Sequence, residues 1–230
     1  MKKKLVVLSG AGISAESGVK TFRDSGGLWE GHDVMEVASY DGWLRNPELV
    51  MDFYNKRRQQ LHQVEPNAGH YALAELEKYF DVQIITQNVD NLHERAGSSN
   101  VIHLHGELLK ARCCEDSMYI VDCDSDLFFG ELDANGRQLR PHIVWFGEQI
   151  PLLDLAMELT RAADIFVVVG TSLQVYPAAG LIGYTKPATP IYYIDPNPAT
   201  IYDISNPVQI IKQPATIGIP LLVHQLQDEL

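Results

Sequence analysis

The chain is poor in cysteine. Its 230 residues include three, Cys113, Cys114 and Cys123, an odd number with two adjacent. That is no disulfide framework, and it points to a reducing cytoplasm. Positive charge is scarce as well: 18 Lys and Arg stand against 30 Asp and Glu, a formal net charge of −12. Nucleic acid and anionic membranes would repel such a surface, so neither is expected as a main partner. Basic, lysine-bearing protein substrates suit it. No apolar run reaches bilayer-spanning length, and the start MKKKLVVLSG is expected to be a strand rather than a signal peptide. Internal repeats and low-complexity tracts are lacking too.

What is present is a chain that is 46% hydrophobic, long enough for one good core and a small second lobe. Leu5-Val6-Val7-Leu8 is wholly apolar and reads as a strand buried on both faces. Similar runs recur at 82–86, 101–105, 165–169, 191–194 and 208–211. Between them lie helical stretches: one starts at Asn46-Pro47-Glu48 with Leu49, Val50, Phe53, Tyr54, Arg57 and Leu61 along one side. Another spans His70 to Tyr79, and a third Leu152 to Ala163. Strands alternating with helices predict an α/β fold, a Rossmann-like parallel sheet covered on both faces, with ligands at the carboxyl ends of its strands. Residues 107–140, polar, acidic and carrying the cysteines, read as a small inserted module.

The residues with chemical potential sit at those strand ends. Ser9-Gly10-Ala11-Gly12-Ile13-Ser14-Ala15 fits G-x-G-x-x-G/A, with Ala15 in third place. Its glycines let backbone approach a ligand, and a following helix N-terminus would offer N–H groups to a pyrophosphate; a tight structural turn would read the same way. The chain then enters Thr21-Phe22-Arg23-Asp24-Ser25-Gly26-Gly27-Leu28-Trp29, which reads as a lid over a nucleotide. Gln87-Asn88-Val89-Asp90 can bond ribose hydroxyls and a carboxamide, or form a turn and helix cap. His105, with Gly106 leaving room beside it, suits a general base, the alternative being a hydrogen-bonded structural histidine. Gly170-Thr171-Ser172 can take a phosphate or ribose oxygen, or be a plain turn.

Together, GAGISAESGVKTFRDSGGLW, TQNVDNLHERAG, HLHGELLK and GTSLQVYPAAGL resemble the motifs of the sirtuins, NAD-dependent protein-lysine deacylases. The likeness runs over essentially the whole chain and is closest to bacterial class III members. It implies that NAD is consumed as co-substrate, lined by Gly10, Ala11, Gly12, Ser14, Ala15, Thr21, Phe22, Arg23 and Trp29. Phe22 would shield the reactive face and Arg23 order the lid. Gln87, Asn88 and Val89 would approach the nicotinamide ribose and Asp90 hold the carboxamide. His105 would be the catalytic base, with Asn88 beside it, and His103 structural. Gly170, Thr171 and Ser172 would line the cofactor. Asp195, where the family usually has asparagine, would meet the adenosine ribose with Pro196 and Asn197, and Ala215 would offer backbone to the adenine side. The segment HIVWFGE would pair with the substrate peptide as an added strand. That implicates Phe146, Gly147 and Glu148, with Val144 against the lysine stem and Val175 and Tyr176 nearby.

Two features bear on subtype. FYNKRR resembles the Tyr-x-x-Arg signature of class III sirtuins, in which Tyr54 and Arg57 would bind the carboxylate of a succinyl or malonyl lysine; without the resemblance, a basic surface helix is the simpler reading. Most sirtuins hold zinc on four cysteines, whereas only Cys113 falls where that pattern expects one. Three thiols make no Cys₄ site, so no structural zinc is expected, and apolar packing over 119–129 is expected in its place. The domains are then 1–30, 66–106 and 141–230 for NAD, and 31–65 with 107–140 for the small lobe. A cytoplasmic monomer acting on acylated-lysine proteins is the resulting expectation. An ADP-ribosyltransferase, a hydride-transferring dehydrogenase and a non-catalytic acyl-lysine or ADP-ribose reader are the alternatives. Nicotinamide release with and without a succinyl-lysine peptide separates them.

Overall fold

The computed structural model describes residues 2–20, 28–29, 31–202 and 204–229. The expected lid residues Thr21, Phe22 and Arg23 lie outside the described residues.

β1 (Lys4–Ser9) runs into α1 (Gly12–Ala15), a single turn. A ribbon of β2 (Leu28–Trp29) and β3 (His32–Asp33) precedes α2 (Val34–Val37), α3 (Tyr40–Arg45) and α4 (Pro47–Leu61). α5 (Ala68–Leu76), β4 (Asp81–Thr86), α6 (Leu92–Arg95) and β5 (Val101–His103) follow. β6 (Gly106–Cys113), β7 (Ile120–Asp122) and β8 (Leu139–Ile143) form a separate antiparallel sheet in the order β7-β6-β8. The chain ends with α7 (Leu153–Ala162), β9 (Ile165–Val169), a 3₁₀ helix (Ala178–Tyr184), β10 (Ile191–Ile194), β11 (Val208–Ile211) and α8 (Ala215–Asp228).

The large sheet has the order β11-β10-β9-β1-β4-β5, every pairing parallel. The winding reverses between β1 and β9, which opens a crevice at their carboxyl ends. The apolar run in β1 follows from this position. Leu5 and Val7 enter the layer shared with α5 and α8, while Val6 and Leu8 enter the layer shared with α7 and the 3₁₀ helix. All four are fully buried, each worth about 1.5–3 kcal/mol against exposure.

The helix starts are set by side chains. Asn46 accepts the Leu49 N–H at 3.1 Å and Pro47 fills the first turn of α4. Asn67 and His70 form a capping box on α5. A second core, built from Val37, Trp43, Val50, Phe53, Leu108 and Trp145 among others, joins α2–α4 to the small sheet.

Two expectations change. The run 101–105 is not one strand: β5 stops at His103, and Gly106, at φ +83°, turns the chain out of the parallel sheet into β6. Apolar packing over 119–129 is partial: Val121, Cys123 and Leu127 join the second core and Phe129 meets the Trp43 ring edge-on, while Ile120, Phe128 and Phe129 are exposed. Polar ties hold the module as well. Asp133 accepts from the Asn135 and Arg137 N–H groups and from Arg137 Nε at 2.8 Å. Asn55 on α4 bonds both the N–H and the carbonyl of Leu127. Cys113, Cys114 and Cys123 are free thiols, and no cluster of three or more His, Cys, Asp or Glu forms a metal site among the described residues. Nor is any described helix long and apolar enough to cross a membrane.

Candidate active site

β1, β4 and β9 end level, with Ser9 opposite Thr86 and Val169. Their loops lock together: the Gly10 N–H donates to Val169 O, the Gly12 N–H to Gly170 O and the Gln87 N–H to Ser9 O. A Cβ on Gly12 would lie 2.7 Å from Gly170 Cα, and one on Gly10 2.7 Å from Thr171 Cβ. Glycine therefore lets two loops meet as bare backbone. The expected helix N-terminus is corrected here. α1 is one turn long, and the N–H groups of Gly12, Ile13 and Ser14 already donate to Gly170, Gly10 and Ala11 carbonyls. What the glycines provide is a wall free of side chains.

Behind that wall lies a buried polar network centred on Ser14. Its hydroxyl donates to Asp90 Oδ2 at 3.0 Å and accepts from Asn88 Nδ2 at 3.2 Å. His70 Nδ1 takes the Asn67 N–H, so its proton is on Nε2, which faces Ser14 Oγ at 3.5 Å. Burial lowers the His70 pKa to about 4, so the ring is neutral. Asp90 Oδ1 accepts the Leu92 N–H in a turn just ahead of α6, whose cap residue is Asn91, while its other oxygen faces the network. Burial pushes its carboxyl up, against the pull of Leu92 and Ser14. Gln87 Nε2 reaches Thr171 Oγ1 at 3.3 Å, spanning the ends of β4 and β9.

Beside this network stand two histidines. His105 Nδ1 lies 3.0 Å from the Gln87 carbonyl, which only accepts, so the proton is on Nδ1 and Nε2 is a lone pair. Burial lowers its pKa and the carbonyl partly restores it, leaving a neutral ring below its usual value. His103 bonds Asn88 O at 3.0 Å and Glu94 Oε1 at 2.7 Å.

Further out, the residues expected at the cofactor's far end are dispersed along the crevice. Asp195, 3% exposed at the end of β10, accepts the Asn197 N–H at 2.8 Å. Pro196 and Asn197 are exposed, Ser172 is half-buried, and Ala215 is buried at the first turn of α8.

Tyr54 and Arg57 are buried on one face of α4. The Arg57 guanidinium lies 4.3 Å from the Trp29 ring centroid and 5.8 Å from that of Phe53. Val144 donates its N–H to His105 O, and Phe146 uses its N–H on Ala38 O and its carbonyl on the Tyr40 N–H. The backbone of Phe146 is thus already paired along residues 38–40. Gly147 and Tyr176 are exposed and Val175 half-buried. Glu148, expected at the peptide, turns inward: its carboxylate accepts from Arg140 at 2.7 and 2.8 Å, from Arg112 at 2.9 Å and from the Trp145 N–H at 2.8 Å. Sequence reasoning missed His70, Arg140 and Trp145. Only the Asn67–His70 capping spacing could have signalled one of them.

Fold and site define a doubly wound α/β enzyme with a neutral histidine at its switch-point crevice. Its donor set of amides, hydroxyls, carboxylates and a glycine wall fits a dinucleotide such as NAD. The Sir2 family model matches residues 10–177. A Helicobacter pylori protein named NAD-dependent protein deacylase is 56% identical over 226 residues, covering 98% of this chain and 93% of that one. A Bacteroides thetaiotaomicron protein of the same name is 51% identical, covering 97% and 98%. A Sir2 homologue solved with NAD superposes with a TM-score of 0.87 at 38% identity, over 99% of this chain and 91% of that one. A Sir2 complex with a deacetylated p53 peptide and an acetyl ADP-ribose gives a TM-score of 0.78 at 30% identity, over 99% and 94%. The chain belongs to the Sir2 family, the sirtuins.

Proposed function

We propose that this sirtuin removes carboxyl-bearing acyl groups, succinyl and malonyl, from protein lysines, and also accepts acetyl. As a member of its family it is an NAD-dependent protein-lysine deacylase; the finer claim concerns the acyl group. The observation that supports it is the buried Tyr54–Arg57 pair on α4. The positive charge is set in an aromatic wall of Trp29 and Phe53. An acyl carboxylate entering there meets a planar, bidentate partner in a medium of low dielectric.

When bound, NAD would supply the ribose carbon that accepts the acyl oxygen as nicotinamide departs, and with one water consumed the acyl group would end on ADP-ribose and the lysine amine be freed. This chain's residues do the rest. His105 Nε2 takes the ribose hydroxyl proton, Gln87 and Asn88 orient the nicotinamide ribose, and Asp90 holds the carboxamide. Gly10, Ala11, Gly12, Ala15, Gly170, Thr171 and Ser172 line the phosphates and riboses. The small lobe, 31–65 with 107–140, brings α4 to the larger NAD lobe, 1–30 with 66–106 and 141–230. In this reading a cytoplasmic monomer meets acylated proteins in the cleft between them.

The test compares kcat/KM on succinyl-, malonyl- and acetyl-lysine peptides for the wild type and Arg57→Met. Losing a charge-assisted bond of about 1.5–3 kcal/mol lowers succinyl and malonyl turnover by roughly ten- to a hundredfold, with acetyl falling far less. Equal losses on all three peptides overturn the assignment.

A further inference from the structure

Tyr54 is fully buried and Trp145 is 2% exposed, and the indole Nε1–H donates to the Tyr54 phenol oxygen at 3.0 Å. An indole N–H donates and never accepts, whereas a phenol carries one proton and lone pairs. The Tyr54 proton therefore points away from Trp145. The geometry points to Trp145 as the positioning residue that makes Tyr54 a donor toward the acyl carboxylate, and so sets the preference for carboxyl-bearing acyl groups. This rests on the reading of Tyr54 and Arg57 given above.

The alternative arrangement shows why the partner matters. Were an acceptor in place of Trp145, the phenol would direct its proton inward and turn a lone pair toward the carboxylate, repelling it. With the indole there, one lone pair is satisfied internally and the O–H is left for an acceptor arriving beside Arg57, one turn along α4. Burial also drives the Tyr54 pKa well above the usual tyrosine range, against the pull of Trp145 and Arg57. The group beside the carboxylate is a neutral phenol and not a phenolate.

Trp145 itself is held from two directions. The Arg140 guanidinium stacks 3.5 Å from its ring centroid, and the Trp43 ring packs at 5.6 Å. Arg140 is fixed in turn by Glu148 and by the Ile143 carbonyl at 2.9 Å. Glu148 also takes the backbone N–H of Trp145. One carboxylate thus ties down both the backbone and the stacked ring of the indole. This gives the Glu148 carboxylate a task in acyl selection, exerted through Trp145 and Arg140.

The variant Trp145→Phe keeps an aromatic ring and deletes the N–H. Kinetics are measured on succinyl and acetyl peptides for the wild type, Trp145→Phe, Tyr54→Phe and the double variant. The expected result is a fall of about tenfold in succinyl kcat/KM for Trp145→Phe, carried by KM, with a much smaller fall on acetyl. Tyr54→Phe alone shows a similar loss, and the double variant is no worse than Tyr54→Phe, because both substitutions remove one device. Additive losses, or equal losses on both acyl groups, overturn the role of Trp145 while leaving the Arg57 result standing. A wild type with no preference for succinyl over acetyl overturns both this role and the reading it rests on.

Discussion

His105 and His103 hang from consecutive carbonyls of one loop, His105 Nδ1 from Gln87 O and His103 Nδ1 from Asn88 O, each at 3.0 Å. Only His103 has a second acceptor, Glu94 Oε1 at 2.7 Å from Nε2. With both nitrogens facing acceptors, His103 is held as an imidazolium. Burial pulls its pKa down, but Glu94 and the Asn88 carbonyl raise it above the ordinary value. His105 has one acceptor and a lowered pKa. Two histidines two residues apart are therefore shifted in opposite directions, and the one shifted toward the neutral form is fit to be a base.

The acidic limb of the pH–rate profile follows from this. With His105 as the proposed base, deacylation needs it unprotonated, so activity is expected to fall as pH drops through its pKa, which burial lowers from 6.5. Peptide-dependent release of free lysine measured from pH 5 to 9 should show that limb centred below 6.5. His105→Ala should fold and lose at least about a hundredfold in rate. A limb centred well above 6.5, or normal turnover by the variant, removes the role.

The neighbouring ion pair has a pH window of its own. His103 is raised on folding, so its contribution to stability is full below 6.5 and fades as pH rises through the folded value. In Glu94, burial works upward but the His103 bond prevails and the pKa is lowered; its contribution is present above 4.5 and fades as pH falls through the folded value. The stability gap between wild type and Glu94→Gln is widest between these two values. The Glu94 side chain is 40% exposed, so solvent screening holds the gap to below about 1 kcal/mol. Urea titrations at several pH values check it; a gap that grows above pH 8 contradicts the pairing.

Ser14 predicts a different pattern. Its hydroxyl serves Asp90, Asn88 and His70, one bond for each site a hydroxyl has. Ser14→Ala leaves three buried polar groups short of a partner, a loss of about 1–3 kcal/mol. The melting temperature should fall by about 2–4 °C per kcal/mol. Nicotinamide release should fall alike for succinyl and acetyl peptides, because the network joins Ser14, Asn88, Asp90 and His70 and includes neither Tyr54 nor Arg57. A loss confined to one acyl group would place Ser14 elsewhere.

How much of this could be read from the chain alone depends on distance along it. β1 and β9 declare themselves because burial on both faces demands unbroken apolar runs such as Ile165–Val169. β6 does not, because Glu107, Lys110 and Arg112 interrupt its apolar residues and it begins at a glycine whose positive φ reorients the chain. The histidine at a strand end is visible in sequence, but its tautomer depends on Gln87, 18 residues away. The inward partners of Glu148 are hidden for the same reason: Arg112 is 36 residues distant, and no spacing rule links them.

Gly170 tests whether the glycine wall is a matter of space or of backbone freedom. It adopts φ +60°, and a Cβ there would overlap the Ile13 nitrogen and lie 2.7 Å from the Gly12 carbonyl carbon. These are backbone atoms, which cannot swing aside as a side chain would. Gly97 is the control, because it adopts φ +102° with nothing within 4 Å of an added Cβ. Gly97→Ala should show the conformational penalty alone, roughly 1–2 kcal/mol. Gly170→Ala bears that penalty plus the forced separation of the β1 and β9 loops, so it should be destabilised by more than Gly97→Ala and lose NAD affinity at least about tenfold, the equivalent of ~1.4 kcal/mol. Urea denaturation and NAD titration of both variants decide the matter: equal destabilisation with unchanged affinity would mean that the two loops part freely.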